Sequence, residues 1–374
     1  MKSLYLYCFF ICTSFLVSCK VQNPEPVIPS EAIFTDNNWI IKLDSNSRTF
    51  VQRSNLNSAE VVFSAKVKLK ISKAEIRFKN YLGGQTLDFV PLNYRQADST
   101  ILGTYSLAGG GYYPEVRLYD SANNIVADSL VLKRFCVGEV FAIIGHSLAE
   151  GQVPYVINDY NKNWNDVVLW PQVDPNVVPN ASFWGRLGEL LVTKLNVPIM
   201  IYNTGIGGSS SSLWGYSAMG FQFESSIFDW KKRYPYLFFE NRIKNDFVKT
   251  GLRAILVMHG ENDIKLTQNE IIETTKLYVN KTRELLKAPE LTFAISKCIN
   301  PPIDIPRNSE VVAAQKRMLT ELPNVSLGAD LQSITNRWDG IHFDYQGLEL
   351  AARAWNVALT TDFFINTKPI LKTK

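Results

Sequence analysis

Hydrophobic and polar positions follow two rhythms along this chain of 374 residues. Up to about residue 135, apolar side chains recur at every second position. Val67, Leu69 and Ile71 alternate with Lys66, Lys68 and Lys70, and Ile76 with Phe78, then Val116 with Leu118, repeat the pattern. Period two marks a strand with one face buried. Gly83-Gly84, Gly109-Gly110-Gly111 and Asn123-Asn124 punctuate these runs as turns. Short strands at this spacing predict a small β-sandwich over residues 31–136. Nothing in it is catalytic by residue type, so it reads as a spacer or a sugar-binding module.

From residue 137 the rhythm becomes strand, loop, helix. Phe141–Ile144, Val197–Tyr202, Ala254–Met258 and Leu291–Ile295 are apolar runs, the last interrupted only by Thr292, as expected of strands covered on both faces in a parallel sheet. Helical segments are predicted over Trp184–Leu195, Gln268–Leu286, Ser309–Leu322 and Leu348–Leu359. The alternation predicts an α/β domain over residues 137–374, a parallel sheet with helices on both faces. Two connections, 153–182 and 211–236, are long enough to be functional or mobile. They carry Trp164, Trp170, Trp214 and Trp230. A tryptophan face can stack on a sugar, though loop tryptophans more often pin the loop to the core.

The N-terminus follows neither rhythm. Lys2 precedes an apolar stretch, Leu4 to Leu16, too short to span a bilayer, so residues 1–18 read as a signal peptide. Leu16-Val17-Ser18-Cys19 resembles the lipobox of bacterial lipoproteins, which implies a lipid on Cys19 and a place in the cell envelope. Residues 19–30, with Pro24, Pro26 and Pro29, form a tether. Export permits disulfides, and Cys136 and Cys298 either pair or stay as buried thiols. Apolar content of 46% and a net charge of +4 describe a globular chain with no electrostatic case for binding nucleic acid.

The chemistry gathers at the carboxyl ends of the predicted strands, where open α/β sheets bind ligands. Gly145-His146-Ser147 follows the first strand and offers a hydroxyl. Asn203-Thr204-Gly205-Ile206-Gly207-Gly208-Ser209-Ser210 follows the second and offers backbone N–H groups. His259-Gly260-Glu261-Asn262-Asp263 follows the third and offers an amide side chain. The chain has three histidines, and His342 stands in Trp338-Asp339-Gly340-Ile341-His342, where the carboxylate three residues ahead can fix the imidazole tautomer. Taken alone, such a pair is more often a satisfied surface contact. Together, hydroxyl, N–H donors, amide and Asp/His pair make a complete set for ester hydrolysis.

These segments resemble the blocks of the SGNH (GDSL-type) hydrolase superfamily, and the resemblance covers the chain from about Val137 onward. It implies an SGNH-type (flavodoxin-like) sheet. Ser147 matches the nucleophile, Asn203, Gly208 and Ser210 the second block, Asn262 the side-chain oxyanion donor, and Asp339 and His342 the acid and base. The oxyanion hole it implies is the N–H groups of Ser147 and Gly208 with the Asn262 side chain. His146 stands where the commonest form of the family has aspartate and the sialate O-acetylesterase branch has glutamine. Gly151-Gln152 and His259-Gly260-Glu261 are also nearer to that carbohydrate-esterase branch. His146, Gln152, His259, Glu261 and Trp214 are accordingly candidate substrate contacts. The resemblance requires no cofactor and no metal.

Rival readings fit less well. Gly145-x-Ser147-x-Ala149 lacks the second elbow glycine of the ordinary α/β-hydrolases. Gly205-x-Gly207-x-x-Ser210 lacks the third glycine of a dinucleotide site. His259, Glu261 and Asp263 lack zinc-ligand spacing. Glu150 and Asp339 would serve a retaining glycosidase only if the fold opposed them. The expectation is a lipid-anchored serine esterase that takes O-acetyl groups off a carbohydrate, with a lipase-like hydrolase or a non-catalytic glycan-binding lipoprotein as alternatives.

Overall fold

The computed structural model describes residues 34–36, 39–41, 50–131, 135–151, 167–170, 183–299 and 306–371. Residues 1–30, where a signal peptide, a lipidated Cys19 and a tether were expected, lie outside them, as do Gln152 and Trp164. The described residues belong to one compact unit. Two short strands, β1 (Phe34–Asp36) and β2 (Trp39–Ile41), pair with each other.

The N-terminal half is antiparallel: β3 (Phe50–Gln52), β4 (Ser58–Lys66), β5 (Lys73–Gly83), β6 (Leu87–Arg95), β7 (Thr100–Ala108), β8 (Gly110–Tyr119) and β9 (Ile125–Val131). Two separate sheets were expected from the turn spacing. Instead the strands run as one curled sheet in the order β8-β5-β6-β7-β4. The corner is β6, which pairs with β5 from Leu87 to Leu92 and with β7 from Asn93 to Arg95. The curl closes over Val61, Phe63, Ile76, Phe78, Ile101, Val116 and Leu118. Val67–Ile71, predicted as a strand, makes no ladder. Its alternation is real in burial, since Val67 and Ile71 are buried and Lys68 and Lys70 exposed. The segment links β4 to β5, which are not neighbours in the sheet, so it has no partner beside it.

Strand β10 (Phe135–Gly145) passes straight through the junction expected at residues 136 and 137. Its first residues pair with β8 and β3, and from Glu139 onward it pairs with β12 (Ile199–Asn203) and then β13 (Ala254–Met258). A buried ion pair fastens this crossing. Glu139, fully buried, receives both Nε and Nη2 of Arg253 at 2.7 and 3.0 Å, Arg53 Nε at 2.7 Å and Gln52 Nε2 at 2.8 Å.

The C-terminal half is parallel. With β11 (Val167–Trp170), β14 (Thr292–Lys297) and β15 (Val325–Asp330), its strands run β11-β12-β10-β13-β14-β15, every pair parallel. Alternate residues of β10 face opposite layers. Phe141 and Ile143 pack under α2 (Phe183–Leu195), α8 (Tyr345–Ala358) and α9 (Thr361–Asn366). Val140, Ala142 and Ile144 pack under α3 (Ser211–Met219), α4 (Tyr236–Arg242), α6 (Gln268–Leu286) and α7 (Pro306–Glu321), with the single turn α5 (Val248–Thr250) leading into β13. Both faces are covered, which is why the central strands β10, β12 and β13 read as apolar runs. Chain order reverses at β10, whose two neighbours β12 and β13 lead away in opposite directions. That reversal is the switch point where such sheets bind ligands. Among the described residues no helix is long and apolar enough to cross a membrane.

Candidate active site

The sheet register brings three loops to one place. Ile143 lies opposite Asn203 and Gly145 opposite Met258, so β10, β12 and β13 end nearly level. Two glycines make the exits. Gly145 has φ +147° and Gly260 φ +156°, and a Cβ would meet Met258 O at 2.1 Å or Cys298 O at 1.6 Å. No other residue fits either position. Beyond Gly145 a one-turn helix, α1 (Ser147–Glu150), begins at Ser147, capped by His146 Nδ1, which accepts Leu148 N–H at 3.3 Å.

Hydrogen bonds then stitch the loops together. Ile206 N–H reaches Gly145 O at 2.8 Å, and Glu150 Oε2 accepts Gly207 N–H at 2.9 Å. Asn203 accepts Gly205 N–H at 3.1 Å and donates to Glu150 O at 3.0 Å. Asn262 Nδ2 donates to Ser209 O at 2.8 Å, which leaves its second N–H free to point elsewhere. Ser147, Gly208 and Asn262, far apart in the chain, therefore sit on loops bonded directly to one another.

Asp263 completes the stitching. It is buried and accepts Ser211 N–H, at the start of α3, at 2.8 Å. Burial pushes its carboxyl up to about 6, against the lowering effect of the Ser211 bond. A folded value above the ordinary 3.8 means that the folded chain keeps a proton the unfolded chain has lost. Stability therefore falls as pH rises from about 4 through about 6. Asp263→Asn keeps an acceptor for Ser211 and removes that loss. Calorimetry is expected to show a Tm about 2–5 °C higher than wild type at pH 7 and no gain below pH 4. Equal Tm values at pH 7 would contradict this.

The Asp339/His342 pair lies in the loop between β15 and α8. Asp339 Oδ2 meets His342 Nδ1 at 2.6 Å, while Oδ1 accepts the N–H of Ile341 at 2.9 Å and of His342 at 2.7 Å. Desolvation would raise the Asp339 carboxyl, but these bonds outweigh it and hold it down at about 2. With Nδ1 committed to the carboxylate, Nε2 is the acceptor. It is buried and has no hydrogen-bond partner among the described residues. The bond from Ser147 to His342 is thus not made in this structure. Such contacts often tighten only when substrate is bound.

The five candidate substrate contacts fare differently. Gln152 lies outside the described residues. Trp214 is fully buried, edge-on to Tyr236, Phe239 and His259, and its Nε1 donates to Ser209 Oγ at 2.9 Å. It sits in the core and pins the glycine loop, because residues 211–219 form α3 against α6 where a loop was expected. His259 is buried between Trp214, Tyr278 and His146, and burial, then the neighbouring His146, push its basicity well down, so it is a neutral core ring. His146 and Glu261 are also buried, with His146 Nε2 2.6 Å from Glu261 Oε2 but off the line of a good hydrogen bond. These two face each other, not the solvent.

Cys136 and Cys298 are buried thiols with no disulfide between them. Cys298 donates to both oxygens of Glu261, at 3.2 and 3.1 Å. Burial and that carboxylate push the thiol well up, so it stays protonated. Desolvation would raise Glu261, yet His146, Arg337 and the thiol hold it at about 2. The donor atoms of His146, Glu261 and Cys298 lie within 4.8 Å of one another, a grouping that merits testing as a cation site. The fit is poor. His146 Nδ1 accepts a backbone N–H, so the proton sits on Nε2, and Arg337 Nη1 already stands 3.6 Å from Glu261 with the balancing charge.

Two exposed apolar side chains border the site and escaped the sequence reading. Trp338 is 49% exposed and lies parallel to His342, with ring centroids 6.0 Å apart. Ile227 is 63% exposed, and its Cδ1 would be 2.5 Å from a Cβ on Gly208. Trp338 stands next to the Asp/His motif and was legible as a position. Its exposure was not.

No family profile and no curated protein matches the sequence. Solved structures do. A carbohydrate acetylesterase from Xanthomonas citri superposes with a TM-score of 0.50 at 13% identity, over 86% of this chain and 74% of that one. A protein from Arabidopsis thaliana gives 0.42 at 13% identity, over 61% and 98%. A family two carbohydrate esterase from Clostridium thermocellum gives 0.38 at 11% identity, over 88% and 96%. At such identity the first of these speaks for the fold alone: the chain shares its fold with a carbohydrate acetylesterase.

Proposed function

We propose that this chain is an SGNH-type serine esterase that removes O-acetyl groups from a carbohydrate, held to the cell envelope by a lipid on Cys19. One observation carries the reading. His342 presents a buried, unpartnered Nε2 among the described residues while Asp339 holds its other nitrogen at 2.6 Å, which is the form of a general base awaiting a proton. In the proposed cycle His342 Nε2 takes the Ser147 proton as Oγ attacks the ester carbonyl carbon. The oxyanion is held by the N–H groups of Ser147 and Gly208 and by the second N–H of Asn262. The imidazolium gives the proton to the departing sugar oxygen and leaves an acetyl-serine. His342 then deprotonates a water that releases acetate and restores Ser147.

The preference for a carbohydrate is supported by the fold shared with a carbohydrate acetylesterase and by Trp338, whose exposed face stands beside the proposed base. The test is hydrolysis of a panel of acetylated mono- and oligosaccharides beside nitrophenyl esters of increasing chain length. Acetyl esters are expected to turn over and long acyl chains not. Activity confined to long chains would replace this reading with a lipase-like one.

Asp339→Asn is expected to lower kcat on the order of 10⁴-fold, less than Ser147→Ala. The Asp339 side chain is 26% exposed, so water can partly replace it in orienting the ring. A larger loss than in Ser147→Ala, measured on the same ester, would remove Asp339 from the orienting role.

A further inference from the structure

Three buried polar side chains from three loops, a histidine and an oppositely charged Glu/Arg pair, meet behind the proposed catalytic residues. Glu261 is the centre, with His146 Nε2 2.6 Å from one oxygen and Arg337 Nη1 3.6 Å from the other. The side chains of His146, Glu261 and Arg337 are only 1%, 5% and 3% exposed. Each sits near a residue with a proposed chemical task. His146 precedes Ser147, Glu261 precedes Asn262, and Arg337 opens the turn that carries Asp339 and His342.

Arg337 is the knot of that turn. Its Nε donates to Ile334 O at 3.3 Å, its Nη2 to Ile299 O at 3.2 Å, and its Nη1 to Ile341 O. The guanidinium carbon lies 4.8 Å over the Phe343 ring. One planar fork thus grips the loop before and after Asp339, the loop after β14 and the carboxylate after β13. The topology explains the need. His342 follows β15, at the edge of the sheet, and β14 and β13 intervene before β10. No strand pairing can set the distance from His342 to Ser147, and the tip of the turn is open, with nothing within 4 Å of a Cβ on Gly340.

We propose that Arg337, acting through Glu261 and His146, is a positioning residue that fixes the His342 turn against the Ser147 turn. The proposal rests on the serine-esterase reading. Packing alone does not call for such a cluster, because a buried ion pair contributes little net stability and apolar replacements of similar volume usually hold a fold as well. What the charges add is one defined arrangement of three loops. Lysine cannot reproduce it, having a point charge where arginine has a fork.

The test uses the full chain, with Arg337→Met, Arg337→Lys and the double variant Glu261→Gln/Arg337→Met, read by Tm and by kcat and KM on 4-nitrophenyl acetate. Arg337→Met leaves a carboxylate buried and unpaired, and its Tm is expected to fall. The double variant removes both charges and is expected to recover most of that Tm. Its kcat is expected to stay about 10–10²-fold down with KM within about twofold of wild type, since a misplaced base costs turnover and not binding. Arg337→Lys is expected to retain Tm better than Arg337→Met while regaining only part of kcat. A double variant with wild-type kcat overturns the proposal and leaves the esterase reading standing, as does full activity in Arg337→Lys should the double variant fail to fold. A wild-type protein inert to every acetyl ester sinks the esterase reading, and the positioning role with it.

Discussion

Ser147→Ala is expected to abolish ester hydrolysis, with a loss on the order of 10⁵–10⁶ in kcat, while the fold survives. The chemistry allows no substitute. In the proposed cycle the acetyl group is carried on the Ser147 oxygen, and the neighbouring Oγ groups are engaged elsewhere: Ser209 accepts Trp214 Nε1–H, and Ser210 caps α3. The structural cost is small. The cap of α1 comes from His146, and the bond from Gly151 N–H to Ser147 O is backbone, so alanine keeps both. Initial rates on 4-nitrophenyl acetate, with circular dichroism as the folding control, decide the matter. Retention of more than about a hundredth of wild-type kcat would place the nucleophile elsewhere.

Asn262→Ala is expected to cost about 10²–10³ in kcat, the usual loss for one oxyanion donor. The side chain has two amide hydrogens. One is fixed on Ser209 O at 2.8 Å, and that bond aims the other, so the donor is oriented before substrate arrives. The loss should appear in kcat more than in KM, because the charge it meets develops only as the carbonyl is attacked. Asn262→Asp makes the sharper comparison, since it keeps the shape and replaces a donor by an acceptor that repels an oxyanion. Its rate is expected to be no higher than that of the alanine variant. An aspartate variant near wild type would remove Asn262 from the oxyanion hole.

How much of this was readable from the chain depends on where each residue sits. Ala254–Met258 and Gln268–Leu286 match their elements end for end. The strand is buried on both faces, so its apolar run has no gaps. The helix opens on Thr267 and Glu270, a capping box in which each side chain accepts the other's backbone N–H. The strand at 325–330 has no such signal, and Val167-Val168-Leu169-Trp170 is a four-residue apolar run set inside a long connection that reads as loop. They lie at the two edges of the parallel sheet, where β15 carries exposed and half-buried positions and reads as loop. Helix α3 escaped because it is serine-rich and has no apolar stripe, its burial coming from Trp214 and the glycine loop around it.

The Asp339/His342 pair was legible because both partners lie within one turn. The His146–Glu261–Arg337 cluster was not. Its members are remote in sequence, no local spacing joins them, and His146 and Glu261 looked like substrate contacts for the same reason that polar loop residues generally do. Only the register of β10 against β13, and the return of the last loop over them, brings the three together.

The most direct measurement is a crystal structure of the protein after reaction with an alkyl phosphonate, whose tetrahedral phosphorus mimics the attacked ester. Phosphorus is expected on Ser147 Oγ. One phosphonyl oxygen should lie within about 3 Å of Gly208 N and Asn262 Nδ2, and His342 Nε2 within about 3.2 Å of the bridging oxygen. Phosphorus on any other side chain, or a His342 ring more than about 6 Å from Ser147 Oγ in the adduct, would contradict the hydroxyl–imidazole pairing from which the proposed activity follows.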